Sequence, residues 1–410
     1  MNDVVLGPAS ELHRGVHGTL VDSPPPGVRY VDAPHAHRFR FAGSSRGARD
    51  PFREHAAGEF VEYRVPPGLV WGVHSSRLPV AGRLPWVADV DCLVTTLRYG
   101  RPFLLGTNGS DTLGQVGPDA LRRRERIMLR QYLGARCKGL LFRTEHARRT
   151  ALGYITDEQL LDPRELDAFA ARLDVVHPTV RPGRSRPLAA STVTVVYAGR
   201  TFEDKGGALA ISALASLVDL PVRPVWVGAG PVDMRAALPG VELHEWLPRA
   251  AWLELLGRAD VLVSPTEFES YGMALVEGAA CGAAIVTTSG PGMEHIGELF
   301  EEGVHALFVD NRLGAAAKLA ALTRHVRALV ERPELRRAMQ AANRALFTHG
   351  RLSLARRDAT LLARYARFDD PIGPDAESCV DDDSVVVPAA AIRALYRRHS
   401  GGQPRRVLVR

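Results

Sequence analysis

From about residue 190 onward, short runs rich in Val, Ile, Leu and Ala alternate with stretches of helical spacing, and this alternation constrains the fold more than any other feature. Strand-like runs fall at 193–198, 222–227, 241–246, 261–264, 283–287 and 306–309, with helical patterns near 206–217, 249–257, 273–280, 313–330, 333–347 and 352–365. Several runs are apolar throughout instead of alternating with polar residues, as in strands covered on both faces. Strands separated by helices predict a doubly wound parallel sheet. Ligands of such sheets bind at the carboxyl ends of the strands.

The first half carries the same signal more weakly. Strand-like runs lie at 4–6, 28–31, 69–73, 86–90, 139–142 and 174–177, and 119–133 is the clearest helix. Segments 23–27 and 42–50 are rich in Pro, Gly and charge, and 180–190 reads as a linker. At 410 residues with 46% hydrophobic content, the chain has room for two domains. The expected division is 1–185, 186–368, and a tail at 369–410 made of an acidic loop and an amphipathic helix over 388–399. No apolar run reaches membrane-spanning length. The first twenty residues hold Asp3, Glu11, His13 and Arg14 and no leader-like stretch, which predicts a cytoplasmic protein. Cys92, Cys137, Cys281 and Cys379 are scattered and read as reduced thiols.

Two fragments carry the chemistry. Arg200 and Lys205 follow the 193–198 run, at the ligand-binding end of a predicted strand. The chain has 49 Arg and only Lys138, Lys205 and Lys318 as lysines, so a Lys-Gly pair opening a helix stands out. An ammonium suits one phosphate oxygen, and a guanidinium grips two. The second fragment, Glu269-Ser270-Tyr271-Gly272-Met273 through Glu277, puts two carboxylates on either side of a glycine turn. Glu54/Glu62 and Glu294/Glu302 share the spacing, but only this pair follows a strand and enters an apolar helix. Cations for a diphosphate and carboxylates for sugar hydroxyls point to a nucleotide sugar; a solvated loop and a helix-terminal acid are the alternatives. Gly228-Ala229-Gly230-Pro231 serves either a tight turn or a close ligand approach.

Asp89 and Asp91 alternate in a way that could chelate a divalent cation. With Arg200 and Lys205 available to the diphosphate, no metal and no cofactor is expected. His74, at the end of the 69–73 run, is expected to face a cleft. Residues 121–149 hold ten cations and two acids. This surplus suits an anionic membrane surface, an anionic substrate or a plain solvated helix; with only Tyr132 and Phe142 as aromatics, no nucleic-acid partner is expected.

Residues 191–347 resemble the donor-binding domain of retaining glycosyltransferases with the GT-B fold, the large Glu-x7-Glu group. The matching elements run in order: Gly199-Arg200 to Lys205-Gly206, Gly228 to Pro231, Leu247-Pro248, 259–265, Glu269 to Glu277, Ala280-Cys281-Gly282, and Ser289 to Glu294. The first 185 residues are similar to the acceptor domain only around Val73-His74-Ser75-Ser76 and 85–87, with Gly15-Val16-His17-Gly18 in place of the usual glycine loop. The resemblance implies two Rossmann-like domains facing across a cleft. It gives Arg200 and Lys205 the leaving diphosphate, Glu269 the donor sugar and Glu277 the ribose. Gly199, Gly228, Gly230, Tyr271, Gly272 and Met273 would complete the donor site, with Trp246 and Leu247 beside the base. Gly15, His17, His74, Asp89 and Asp91 would lie on the acceptor side. The implied reaction is retaining transfer from a UDP- or GDP-sugar. A small polar acceptor, as in aminoglycoside- or lincosamide-like antibiotic biosynthesis, is the first expectation. A lipid-linked or envelope-polysaccharide acceptor, with peripheral membrane contact through 121–149, is the second. An epimerase or a non-catalytic binding relative is the alternative of another class.

Overall fold

The computed structural model describes residues 1–40, 56, 58–66, 68–98, 117–183, 192–231, 233–372 and 384–392. It divides into two units, Met1–His177 with Asp358–Arg410, and Pro178–Arg357.

The first unit is built on a six-stranded parallel sheet in the order β2-β1-β5-β7-β8-β9. Its strands are β1 (Asn2–Gly7), β2 (Val28–Val31), β5 (Gly72–Ser76), β7 (Trp86–Val90), β8 (Cys137–Phe142) and β9 (Leu173–Val175). The 69–73 run is shifted in the structure: the strand starts at Gly72, which places His74 inside it instead of at its end. Alternate residues serve opposite faces. Val5, Val73, Val90, Leu140 and Phe142 join one core, while Val4, Leu6, Val87 and Leu141 join another.

A second sheet was invisible in the sequence. It joins β3 (His35–Arg40), β4 (Gly58–Tyr63), β6 (Val80–Ala81) and β16 (Val385–Pro388) in the order β16-β3-β4-β6. The tail therefore returns to the first unit as a strand beside β3. Of the expected terminal helix, Pro388 instead ends β16, residues 389–392 are helical, and 393–399 lie outside the described residues, as do 42–50, most of the acidic stretch and most of the 180–190 linker.

The boundary at the far end also differs from the sequence expectation. Much of the Leu354–Tyr365 helix belongs to the first unit, where Leu361, Tyr365 and Phe368 bury themselves against Val4, Leu6 and Val87. The fit is tight enough that a Cβ on Gly72 would stand 2.4 Å from the Phe368 ring.

The second unit follows the sequence reading closely. Its strands are β10 (Val193–Gly199), β11 (Val222–Gly228), β12 (Glu242–His244), β13 (Val261–Ser264), β14 (Ala284–Ser289) and β15 (Ala306–Asp310). All pair in parallel, in the order β12-β11-β10-β13-β14-β15. Helices cover both faces. Val195, Tyr197, Val261 and Val263 pack against the Gly207–Ala215 and Ala315–Glu331 helices, while Val196, Leu262 and Ile285 pack against the opposite layer with Leu255, Leu275 and Phe347. Chain order reverses between β10 and β13, and the crevice there is the place where doubly wound sheets take ligands.

Candidate functional site

The loops after β10 and β13 meet at this reversal point. Lys205 Nζ lies 2.6 Å from Glu269 Oε2, with each side chain about one-quarter exposed. An ion pair this open adds at most about 1 kcal/mol to the fold, so stability alone gives little reason for its placement. Arg200 is exposed at the start of the same loop.

Both loops feed helices whose N-caps are left-handed glycines, Gly206 (φ 67°) and Gly272 (φ 88°). A Cβ on Gly206 would sit 2.1 Å from the Pro265 carbonyl oxygen, so only glycine lets the loops come this close. Neither the Gly207–Ala215 nor the Met273–Ala280 helix has a side-chain N-cap or an acid in its first turn. The Gly207 N–H is taken by the Phe202 carbonyl at 2.8 Å, so what the two helix starts offer an anion is chiefly the positive ends of their dipoles.

A third turn completes this edge. Gly199 and Gly228 pair in register, and a Cβ on Gly228 (φ 122°) would fall 1.8 Å from the Gly199 oxygen. Tyr197 and Trp226 stack at 3.8 Å. The Tyr197 hydroxyl donates to the Lys205 carbonyl, and Trp226 Nε1 donates to the Ala229 carbonyl at 2.9 Å. Buried aromatics thus pin two of the loops. Gly230, on the loop that Trp226 pins, is exposed.

The Glu269 loop is braced by residues that the sequence reading did not single out. Thr266 Oγ1 donates to the Asp204 carbonyl at 3.1 Å, Asn311 Nδ2 donates to the Glu267 carbonyl at 3.1 Å, and Lys318 Nζ meets Glu267 Oε1 at 2.5 Å. The signal available was the rarity of lysine: two of the three in the chain hold acids on this one loop.

Glu277 is buried, and both of its carboxylate oxygens are engaged. Arg249 Nη1 donates to Oε1, and Trp252 Nε1 donates to Oε2 at 2.6 Å, both from the Arg249–Leu256 helix. Neither partner was anticipated. Nearby, Trp246 is 59% exposed, while Leu247 packs on the core. The Tyr271 ring is buried and its hydroxyl donates to the Pro178 carbonyl. Met273 is partly buried against the same core.

The residues expected on the acceptor side take different roles. Gly15-Val16-His17-Gly18 lies in the Arg14–Asp22 helix and forms no glycine loop. His74 is fully buried instead of facing a cleft. Asp89 stands between two imidazoles, with His17 Nε2 3.2 Å from one oxygen and His74 Nε2 3.1 Å from the other. His74 Nδ1 meets the Tyr365 hydroxyl at 2.5 Å, and Tyr365 meets Tyr30 at 2.8 Å. The cluster ties the carboxyl ends of β5 and β7 to the returning helix. Asp91 pairs with Arg143 at 2.8 Å. No group of three or more His, Cys, Asp or Glu side chains is arranged to hold a metal ion among the described residues.

Burial pushes His17 below the usual imidazole range, against the pull of Asp89. The tautomer agrees, because His17 Nδ1 accepts the His13 backbone N–H at 2.7 Å and has no room for a proton. For Asp89 burial works upward, but His74 and His17 outweigh it and hold the carboxyl far below its ordinary value. Both groups bind protons less readily folded than unfolded, so stability falls with pH, for His17 from about pH 6.5 downward. Thermal unfolding at pH 7 and pH 5 is expected to show a loss at the lower pH that shrinks in His17→Gln. Equal losses in the two proteins would refute this.

The basic segment is partly internal. Arg124 is buried and donates to the Leu97 carbonyl at 2.9 Å. The outer face of the Pro118–Leu133 helix lines a groove of about 550 Å³ with Arg122, Arg123, Arg126, Arg130 and Arg40. No helix among the described residues is long and apolar enough to cross a membrane.

Residues 192–332 match the family model described as "Glycosyl transferases group 1". The matched stretch lies within the second unit. Two proteins from Mycobacterium tuberculosis, strains H37Ra and CDC 1551, are 31% identical over 187 residues. Each is described as a GDP-mannose-dependent alpha-(1-6)-phosphatidylinositol dimannoside mannosyltransferase, and the match covers 43% of this chain and 46% of each relative. The chain thus spans just under half the length of the curated relatives it matches. Among solved structures, a glycosyltransferase from Rickettsia africae is similar with a TM-score of 0.48 and 13% identity, covering 73% of this chain and 77% of its own. WaaG, a glycosyltransferase involved in lipopolysaccharide biosynthesis, has a TM-score of 0.46 and 15% identity over 87% and 99% of the respective chains.

Proposed function

We propose that the protein is a retaining glycosyltransferase that moves a sugar from a nucleoside-diphosphate sugar to an acceptor. The observation that carries this reading is the meeting of Lys205 and Glu269 at the reversal point of the second sheet, between two uncapped helix N-termini. A diphosphate drawn in by Arg200, Lys205 and the helix ends would take Lys205 away from Glu269, leaving the carboxylate to accept hydrogen bonds from sugar hydroxyls. As the glycosidic bond breaks, negative charge grows on the leaving phosphate, and the cations stabilise it more strongly in the transition state than in the ground state. The leaving phosphate takes the acceptor proton as the acceptor adds to the same face of the sugar, which retains the anomeric configuration.

The mannosyltransferase relatives favour a guanosine diphosphate donor over a uridine one. They also favour the lipid-linked acceptor over the small polar acceptor of antibiotic-type pathways, and the Arg-lined groove suits an anionic surface. Incubation with labelled GDP- and UDP-sugars tests the proposal, with NMR of the product anomer testing retention. An inverted product would remove the mechanism. A product that is only an altered nucleotide sugar would move the protein to the epimerases.

The protein cations are proposed to stand in for a metal at the diphosphate, so transfer is expected to persist in excess EDTA. Loss of turnover in EDTA, restored by Mg²⁺ or Mn²⁺, would contradict this and return attention to Asp89 and Asp91.

A further inference from the structure

The groove on the outer face of the Pro118–Leu133 helix has no part in the donor site, and its charges stand in a row. Five guanidiniums, those of Arg40, Arg122, Arg123, Arg126 and Arg130, line its volume of about 550 Å³ together with one carboxylate, Asp119. Arg122, Arg126 and Arg130 recur every fourth residue, about 6 Å apart along the helix, a spacing at which like charges repel and weaken it. Each of the three is held from the segment that follows: Arg122 reaches Glu158 at 3.1 Å, Arg126 donates to the Gln159 carbonyl at 3.2 Å, and Arg130 lies 3.7 Å from Glu165. Exposed contacts of this kind add little to stability. What they do is fix the row, and a guanidinium keeps most of its five donors after one of them. Arg123, also exposed, has no side-chain hydrogen bond or ion pair among the described residues. Arg40 enters from the last position of β3, in the four-stranded sheet.

We propose that this groove binds a linear polyanion, a chain of phosphodiester-linked polyol or sugar units, as the anionic part of the acceptor. As an acceptor site it rests on the glycosyltransferase reading; as a binding site it does not. A chain with a phosphate on each repeat engages successive guanidiniums, and each contact after the first forms within one complex. Guanidiniums already held in a row lose less freedom on binding. Other anions fit less well. A single phosphate leaves most of the row unmet. Among the described residues no aromatic side chain lines the groove, so nucleobases find nothing to stack on. The surface is a groove, and the described part of its helix carries no exposed large apolar side chain to enter a bilayer. The anionic surface it suits is a polymer chain.

Fluorescence anisotropy with a labelled glycerol-phosphate oligomer tests it on the full chain, against inorganic phosphate, single-stranded oligodeoxythymidine and phosphatidylglycerol vesicles. The parent is expected to bind the oligomer more tightly than any of the three, and less tightly as salt rises. Arg123→Glu/Arg126→Glu changes two exposed residues. It is expected to weaken binding about 10-fold or more at the parental unfolding temperature, and Arg123→Gln/Arg126→Gln, which removes charge without reversing it, should weaken it less. Arg324→Glu/Arg337→Glu, an exposed pair on the second unit with the same change in net charge, should bind as the parent does. GDP and UDP should titrate alike into the parent and the groove variants. An equal loss in the Arg324→Glu/Arg337→Glu control, or tighter binding of oligodeoxythymidine or vesicles than of the oligomer, would overturn the assignment. A parent that binds GDP or UDP but not the oligomer would overturn it alone. One that binds the oligomer but neither nucleotide would remove the glycosyltransferase reading and leave the groove a polyanion site.

Discussion

Lys205→Ala is expected to lose about 30- to 1000-fold in sugar transfer, from roughly 2–4 kcal/mol of lost transition-state stabilisation, with little change in unfolding temperature. The two halves of that expectation come from different features. The ammonium meets a partly exposed carboxylate at 2.6 Å, an arrangement that contributes little to folding. Gly206, the stacked Tyr197 and Trp226, and Thr266 hold the loop itself, and none of them depends on the Lys205 side chain. Initial rates with a labelled donor, alongside thermal unfolding, separate the outcomes. A variant with near-parental turnover would remove Lys205 from the chemistry, and one that fails to fold would make its role structural.

Asp89→Ala is expected to do the reverse and act on the fold. The carboxylate faces His17 and His74, both fully buried, and its loss leaves two imidazoles with no acceptor between them. Removing one partner from a buried charged cluster costs about 3–5 kcal/mol. For a unit of this size that corresponds to a fall in unfolding temperature of roughly 6–20 °C. Asp89→Asn, which keeps the shape and one acceptor, should fall less. If Asp89→Ala instead kept the parental unfolding temperature and lost transfer, Asp89 would be a residue of the reaction and not of the core.

The contrast between the two units explains what the sequence could convey. In the second unit central strands such as β10 and β13 are largely apolar runs because helices cover both faces. That made the strands, the reversal point and the positions of Lys205 and Glu269 readable in advance. The four-stranded sheet of the first unit was not readable. β3 is His-Ala-His-Arg-Phe-Arg, β6 has two residues, and β16 pairs with β3 from the far end of the chain. Local pattern carries no trace of such a pairing.

Within the site, spacing disclosed the residues on the loops but not their braces. Arg249 and Trp252 reach Glu277 from one helix, and Asn311 and Lys318 reach the 265–272 loop from beyond β15, so only the folded chain brings them there. The misreading of His74 has a simpler cause. A shift of the strand from 69–73 to 72–76 moved it from a strand end into the interior, where Asp89 and Tyr365 engage it.

The central claim is that the second unit holds a nucleoside diphosphate between the loops after β10 and β13. Calorimetric titration of GDP and UDP into the parent, Glu269→Ala and Glu277→Ala, with ATP and NAD as controls, tests it most directly. The account predicts one site that takes GDP or UDP in preference to the controls, weakened in Glu277→Ala and spared in Glu269→Ala, whose deficit appears only in turnover of the intact donor. Binding of neither GDP nor UDP to the parent, or binding lost with Glu269 and retained without Glu277, would contradict it.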